Sequence, residues 1–259
     1  MKKSACIEMI FTEAPFYERF KLAREAGFEY VEFWSWDDKD LDKIKDLCNK
    51  YNLKIGSFSG DKAFSMVDER ENADYIDFIK KSIKAAKFLE CDNLVIHSNA
   101  LGEGGIVIND YKEIDHKVKY DNMRMLLNEL KAFAEENEVT LVLEALNIIV
   151  DHVGNFLAYT EDSANLIKAV NSPYIKILYD VYHMQINEGN VIDNIKKHIN
   201  EIGYIHVADA PGRHEPGTGE LNYNNIFKSL RELEYKGIIG FELEPINSSK
   251  NAIDVILAL

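Results

Sequence analysis

Short apolar runs alternate along the chain with longer segments in which apolar residues recur every three or four positions. The short runs have the length of buried strands, and the spacing in the longer segments is that of amphipathic helices. We predict strands over residues 5–11, 30–34, 54–58, 93–97, 141–144, 175–180, 204–206 and 238–242. We predict helices over residues 15–27, 41–51, 73–89, 116–138, 191–202, 223–233 and 252–257. One further helix is predicted to begin with Thr160 as its cap.

This order of elements predicts an α/β protein with a (β/α)8 TIM-barrel fold. The strands are hydrophobic runs without a period-two alternation of apolar and polar residues, which is typical of parallel strands covered on both faces. An open doubly wound sheet is the main alternative, but it usually carries a glycine-rich turn after its first strand. Residues 12–15 read Thr-Glu-Ala-Pro and lack that turn. No linker or composition break divides the chain, so we predict one domain over residues 1–259.

Four of the predicted strands end on a side chain that can bind a divalent cation. Glu144, Asp180, His206 and Glu242 follow one another at intervals of 36, 26 and 36 residues. The carboxyl ends of all strands of such a barrel meet at one face, where its active sites lie. Each residue alone could be a salt-bridged barrel residue, but four in successive units favour a metal site. The mostly oxygen ligand set suits Mn²⁺, Mg²⁺ or Co²⁺.

His183 comes three residues after Asp180 and is a second imidazole near the predicted site. If the chain turns after the strand, both side chains can face one cavity. Three roles stay open for His183: a ligand, a donor to a substrate oxygen, or a histidine packed in the loop.

Arg213 lies in a segment, residues 206–220, that contains two prolines and three glycines and is therefore predicted to be a shaped loop at the barrel mouth. Its guanidinium can bind a substrate carboxylate through two parallel hydrogen bonds. The alternative is a pair within the loop, with one of the acids Asp209, Glu215 and Glu220.

Three further side chains lie near the predicted mouth. His97 ends the fourth predicted strand, and we interpret it as an interior histidine with satisfied hydrogen bonds rather than as a residue that supports the site. Trp34 and Trp36 follow the second strand and can either line the cavity or pack against the helices.

Composition narrows the classes of partner. The formal net charge of −14 weighs against nucleic acid, which requires a basic face. Cys6, Cys48 and Cys91 form no metal-type pair and suit a reducing compartment. The N-terminal residues lack the core of a secretion signal, and no apolar stretch reaches about 18 residues. We therefore expect a cytoplasmic protein that acts on a small molecule without nucleic acid or membrane, with a homo-oligomer left open.

Six segments resemble the hydroxypyruvate isomerase family, which belongs to the xylose-isomerase-like barrels together with ketose 3-epimerases and zinc endonucleases of DNA repair. The resemblance covers nearly the whole chain in order, and the block from residue 213 to 223 is its most specific part. The segments are IFTEAPFYERF (10–20), EALN (144–147), DVYHMQ (180–185), RHEP (213–216), GELNY (219–223) and ELEP (242–245).

The resemblance implies a divalent metal held by Glu144, Asp180, His206 and Glu242, with Glu144 and Glu242 also transferring the proton. The implied enzyme interconverts hydroxypyruvate and tartronate semialdehyde through an enediolate. One departure matters, because similar hydroxypyruvate isomerases often carry Gln where His206 stands, whereas ketose epimerases use His. A ketose 3-epimerase or a 2-oxo-tetronate isomerase with the same site is therefore the alternative.

Two other classes use the same barrel. A DNA repair endonuclease needs more histidine ligands and a basic face, whereas this chain has seven histidines and a net charge of −14. A non-catalytic binding barrel would capture its ligand without a metal, so chelation would leave its binding unchanged.

Overall fold

Eight parallel strands close into a barrel in the computed structural model, which describes residues 1–259. Neighbouring strands pair in chain order, and the eighth pairs with the first. The strands are β1 (Lys2–Cys6), β2 (Tyr30–Phe33), β3 (Lys54–Ser59), β4 (Asn93–His97), β5 (Thr140–Glu144), β6 (Ile175–Asp180), β7 (Ile202–Val207) and β8 (Ile238–Phe241). The predicted (β/α)8 fold is confirmed.

Nine helices accompany the strands, one more than the eight predicted. They are α1 (Phe16–Glu25), α2 (Leu41–Tyr51), α3 (Asn72–Leu89), α4 (His116–Asn137), α5 (Thr160–Val170), α6 (Val181–Asn187), α7 (Val191–His198), α8 (Tyr223–Glu232) and α9 (Ser249–Ala258). No helix combines the length and the apolar character that crossing a bilayer would require.

The apolar core has two parts, separated by the wall of the barrel. Along β4, Leu94 and Ile96 belong to the large cluster shared with the helices, whereas Val95 between them belongs to a small cluster inside the barrel. Both faces of the strand are therefore buried, which explains why its sequence shows no alternation of apolar and polar residues. The inner cluster consists of Val95, Val142, Leu178 and Tyr204, with Ile238 packed against it.

Removing one side chain from the inner cluster should destabilise the whole barrel. Leu178 is fully buried there, so Leu178→Ala should lower the free energy of unfolding by about 2–5 kcal/mol through lost burial and the cavity left behind. The measurement is denaturant unfolding of the cation-free protein, with Leu257→Ala as the control because Leu257 is 44% exposed. Equal midpoints for the two variants would contradict this description of the core.

The predicted first strand is wrong in its position. We expected it over 5–11, but β1 covers Lys2–Cys6. The chain turns directly after the strand, because the backbone amides of Met9 and Ile10 both donate to the Cys6 carbonyl. Ile7, Ile10 and Phe11 are buried after the strand, so the apolar run marked burial and not extended backbone.

The second correction concerns the segment after β6. It forms the short helix α6, where we predicted a loop, and α7 ends at His198 rather than at residue 202. Asp180 explains the new helix, since its Oδ1 accepts hydrogen bonds from the amides of Tyr182 and His183 and so caps the first turn. A predicted metal ligand thus also acts as a helix cap.

The cap predicted for α5 is also wrong. Thr160 is the first helical residue and Tyr159 takes the cap position, without a hydrogen bond from its side chain. The Thr160 hydroxyl instead donates to Glu188, next to the end of α6. Glu161 and Asp162 do lie in the first turn, where acidic side chains favour the helix dipole.

The connections after β4, β5 and β7 are the longest, and they leave the barrel at the carboxyl ends of the strands. A bond between loops joins two of them, since the ring Nδ1 of His152 lies 2.7 Å from the Gly105 carbonyl. In the connection after β7, the Asp209 carboxylate accepts hydrogen bonds from the backbone amides of Ala210, Gly217 and Leu221. These bonds fix the loop that carries Arg213. These loops build the mouth of the barrel.

Candidate metal centre

The four residues at the strand ends lie together at the mouth. Glu144 and Asp180 are the last residues of β5 and β6, His206 is the penultimate residue of β7, and Glu242 follows β8 directly. One potential ligand atom from each lies within 4.8 Å of the others, and all four side chains are buried. The structure therefore brings the predicted ligand set to one point, while its binding of a metal stays a prediction.

One ring nitrogen of His206 faces all three carboxylates. Its Nδ1 is 3.4 Å from Glu242 Oε2, 3.7 Å from Glu144 Oε1 and 4.0 Å from Asp180 Oδ2. Neither ring nitrogen has a hydrogen-bond partner, and Glu144 Oε1 also lacks one. Buried polar atoms are normally paired, so Glu144 Oε1 and His206 Nδ1, which face each other, indicate a missing ligand.

A divalent cation fits this arrangement. Three carboxylates in one buried space repel each other, and burying each charge is costly unless a cation compensates it. Glu144 Oε1 and His206 Nδ1 are unpartnered atoms of the types that bind cations, and they lie 3.7 Å apart. Three carboxylates and one imidazole form a hard donor set that suits Mn²⁺, Mg²⁺ or Co²⁺.

The charges of the cluster are strongly linked. Burial and the neighbouring charge of Glu144 raise the pKa of Asp180 to about 7. Burial would also raise the pKa of Glu144, but His206 and His97 hold it well below its ordinary value. For His206 burial favours the neutral ring, yet Glu32 and Glu242 raise its pKa well above the ordinary value. Without a metal, the site therefore draws positive charge toward itself.

Glu242 is held from both sides. The indole Nε1 of Trp34 donates to its Oε1 at 2.7 Å, and the Arg213 guanidinium forms an ion pair with its Oε2. Burial would raise the pKa of Glu242, but Arg213 and His206 lower it. Two donors thus fix the orientation of this carboxylate.

The alternative that Arg213 pairs with an acid of its own loop is wrong. Its partner is Glu242, 29 residues away, and its guanidinium also lies 5.5 Å from the centre of the Tyr182 ring. The Arg213 Nε is buried without a partner. Arg213 therefore belongs to the site and keeps an unused donor there.

The two tryptophans divide between the two interpretations offered from the sequence. Trp34 is 46% exposed and contacts Glu242 at the mouth. Trp36 instead donates to the Ser82 hydroxyl on α3 at 2.8 Å and packs against the Phe78 ring. Only Trp34 lines the site.

His183 is fully buried beside the cluster, in α6. The side-chain Oδ1 of Asn147 accepts hydrogen bonds from the backbone amides of Val150 and Asp151. The Nδ2 group of Asn147 therefore donates to His183 Nδ1, which lies 2.7 Å away. The proton of a neutral ring is then on Nε2, which has no hydrogen-bond partner and lies 3.6 Å from Asp180 Oδ2. Burial and the charge of Arg213 hold the pKa of His183 well below its ordinary value. His183 is therefore a neutral donor, and its contact with a substrate stays a prediction.

His97 contacts a site residue, which the sequence interpretation did not favour. Its Nδ1 is 3.2 Å from Asp61 Oδ1 and its Nε2 is 3.1 Å from Glu144 Oε2. Burial would lower the pKa of His97, but Asp61 and Glu144 raise it to about 10. The sequence contained a signal for this contact, because His97 and Glu144 end two successive predicted strands. In the structure β4 pairs with β5, and His97 lies opposite Glu144.

Glu32 was missed altogether. It lies within β2, is almost fully buried, and its Oε1 is 3.3 Å from His206 Nε2. The only sequence signal was a single acid inside the apolar run of residues 30–33.

Comparison with known proteins identifies a family and several relatives of this chain. A sequence profile of the xylose isomerase-like TIM barrel family matches residues 20–259. Hydroxypyruvate isomerase of Escherichia coli is 31% identical over 255 residues, which are 95% of this chain and 94% of that protein. 2-Oxo-tetronate isomerase of Haemophilus influenzae is 30% identical over 263 residues, which are 98% and 97% of the two chains.

Similarity extends to solved structures. The crystal structure described as AP endonuclease, family 2 from Brucella melitensis superposes with a TM-score of 0.86 at 28% identity. The match covers 99% of this chain and 98% of that one. The two isomerases and the solved structure therefore match nearly the whole chain, and the family profile covers the barrel from residue 20 onward.

Proposed function

This chain belongs to the xylose isomerase-like TIM barrel family, and we propose that it is an isomerase of small 2-oxo acids. The preferred reaction interconverts hydroxypyruvate and tartronate semialdehyde through an enediolate. The observation that carries the proposal is the convergence of Glu144, Asp180, His206 and Glu242 on one point at the barrel mouth. The isomerases from Escherichia coli and Haemophilus influenzae support it as full-length relatives.

The reaction moves hydrogen between neighbouring carbons. A proton leaves C3 of hydroxypyruvate and returns to C2, while the hydroxyl proton on C3 passes to the oxygen on C2. Glu144, Asp180, His206 and Glu242 would hold a divalent cation, which supplies positive charge beside the developing oxyanion. Of the two glutamates, one removes the proton and a carboxylate returns it.

The surrounding side chains orient these groups. His97 holds Oε2 of Glu144 and leaves Oε1 without a partner, while Trp34 and Arg213 fix Glu242. His183 is neutral and presents an Nε2–H that can donate to a substrate oxygen without taking the proton from the carboxylates. The chain thus supplies fixed acceptors for the proton and a fixed donor for the oxygen.

Arg213 should bind the substrate carboxylate. Arg213→Lys removes the unpaired Nε donor but keeps the charge, so the KM for hydroxypyruvate should rise roughly 10- to 100-fold, the value of a charge-assisted hydrogen bond. Steady-state kinetics would measure this, with Arg124→Lys on the surface of α4 as the control. An unchanged KM in Arg213→Lys would remove Arg213 from substrate binding.

Epimerisation of a ketose at C3 is the second candidate. Two observations favour it: the ligand set contains the imidazole of His206, and Glu144 and Glu242 extend from strands that are not neighbours, β5 and β8. Two carboxylates on different sides of a bound ketose could exchange a proton on opposite faces of one carbon. Isomerisation of a 2-oxo-tetronate would use the same groups as the preferred reaction.

A substrate panel separates these reactions. Hydroxypyruvate, a 2-oxo-tetronate and several ketoses would be incubated in D₂O with Mn²⁺, Mg²⁺ or Co²⁺, and the products followed by NMR. The proposal expects the carbonyl of a 2-oxo acid to move and deuterium to appear on carbon. Epimers of a ketose, with every 2-oxo acid unchanged, would replace the proposal by the second candidate.

Nucleic acid is not among the proposed partners, although the similar Brucella melitensis structure is described as an AP endonuclease. The net charge of −14 opposes binding to a phosphate backbone. A salt-dependent gel shift on a duplex with an abasic site would contradict this. The single domain of residues 1–259 and a cytoplasmic location stay predictions.

A further inference from the structure

A fifth buried carboxylate lies next to the four residues of the candidate metal centre. Glu32 extends from β2 into the barrel and is 3% exposed. Its Oε2 accepts a hydrogen bond of 2.6 Å from the Tyr204 hydroxyl, and its Oε1 lies 3.3 Å from His206 Nε2. Burying a carboxylate inside a barrel costs free energy, so the two polar partners of Glu32 indicate that it has a role there.

Two glycines leave room for this carboxylate. A Cβ at Gly240 would lie 2.3 Å from Glu32 Oε1, and a Cβ at Gly56 would lie 2.7 Å from the Tyr204 hydroxyl. Both distances are shorter than the contacts that a Cβ atom makes in proteins, so only glycine fits while Glu32 and Tyr204 keep these positions. Glycine inside a strand often marks such a close approach.

The two nitrogens of His206 have different neighbours. Nε2 faces Glu32, whereas Nδ1 faces the three carboxylates of Glu144, Asp180 and Glu242. The contact of 3.3 Å between Glu32 Oε1 and His206 Nε2 is slightly longer than a hydrogen bond of about 2.7–3.2 Å. An ionised carboxylate can only accept, so Glu32 favours a proton on Nε2. Nδ1 then faces the space among the other three carboxylates, where a cation would take the place of a proton.

We propose that Glu32 is a positioning residue that holds His206 with its proton on Nε2, so that Nδ1 is available to bind the divalent cation. The inference rests on the proposed cation site. A carboxylate behind a metal-binding imidazole commonly fixes the ring and strengthens it as a ligand. If Glu32 only accepted the hydrogen bond from Tyr204, replacing Glu32 would change neither the affinity for the cation nor the nitrogen of His206 that carries the proton.

Calorimetric titration with Mn²⁺ tests the effect on affinity. Glu32→Gln keeps the shape but removes the charge, and the affinity for Mn²⁺ should fall about 10- to 100-fold. Tyr204→Phe is the matched control, because it removes the other contact of Glu32 and leaves the carboxylate beside His206. Its affinity should stay much closer to that of the wild type, and circular dichroism would verify the fold of both variants.

The position of the proton can be read in the wild type, whether or not Glu32→Gln folds. Nitrogen-15 NMR of the Mg²⁺-loaded protein should show His206 with Nε2 protonated and Nδ1 without a proton, with the signal assigned by its loss in His206→Gln. A proton on Nδ1 would overturn the inference. So would a folded Glu32→Gln that binds Mn²⁺ as tightly as the wild type, and this result would leave the proposed function standing. A wild type that binds neither cation would defeat both.

Discussion

Exchanging either Glu144 or Glu242 for Gln should lower kcat by about 100- to 10,000-fold, the range typical of a lost general base. The amide keeps the shape of the side chain but cannot accept a proton from carbon. Gln also removes one negative charge from three carboxylates that repel each other, so the fold should survive. The measurement is kcat with hydroxypyruvate, together with thermal unfolding of each variant.

Glu136→Gln is the control for these variants, since Glu136 is an exposed carboxylate on α4 and should be indifferent. Activity close to that of the wild type in both Glu144→Gln and Glu242→Gln would show that neither carboxylate transfers the proton. A loss in only one of them, measured at a saturating concentration of the cation, would identify the base and leave the return of the proton to another group.

Removing divalent cations should abolish turnover. Dialysis against a chelator should lower the activity by more than about 100-fold, because the charge beside the developing oxyanion is worth several kcal/mol. Added Mn²⁺, Mg²⁺ or Co²⁺ should restore it. The cation should also raise the melting temperature, since a ligand that binds only the native state adds about 2.7 kcal/mol of stability at 100 times its dissociation constant.

The Asp180→Asn variant tests whether the rise in melting temperature comes from a cation bound at the site or from a general effect of salt. The variant loses one predicted ligand and should lose most of the rise in melting temperature, whereas Asp46→Asn, on the exposed face of α2, should keep it. Turnover that persists in chelator would contradict a catalytic metal. Ligand capture without turnover and without a metal would instead support a non-catalytic binding barrel.

The barrel could be predicted because burial on both faces leaves most strands mainly apolar, without an alternation of apolar and polar residues. The bounds of α2, β4 and β6 agree with the prediction to the residue. The position of β1 could not be predicted in this way, because the strand, Lys2–Cys6, is less apolar than the turn that follows it. Helix α6 was missed because its cap, Asp180, was interpreted only as a ligand.

The candidate site was predictable where a polar residue ends an apolar run, as at Glu144 and Asp180. Glu32 lies inside a run, and the sequence does not say whether such a residue points into the barrel or toward the helices. The pairing of Arg213 with Glu242 joins a loop to another strand, and its own loop offered three nearer acids. Long-range partners of this kind are decided by the tertiary fold and not by spacing.

Diffraction from a crystal soaked in Mn²⁺ is the most direct test of the central claim. The account predicts a single anomalous peak with Glu144, Asp180, His206 and Glu242 all bound to it, at distances of about 2.0–2.4 Å. A crystal with no peak between these side chains, or with the side chains turned away from one another, would contradict it.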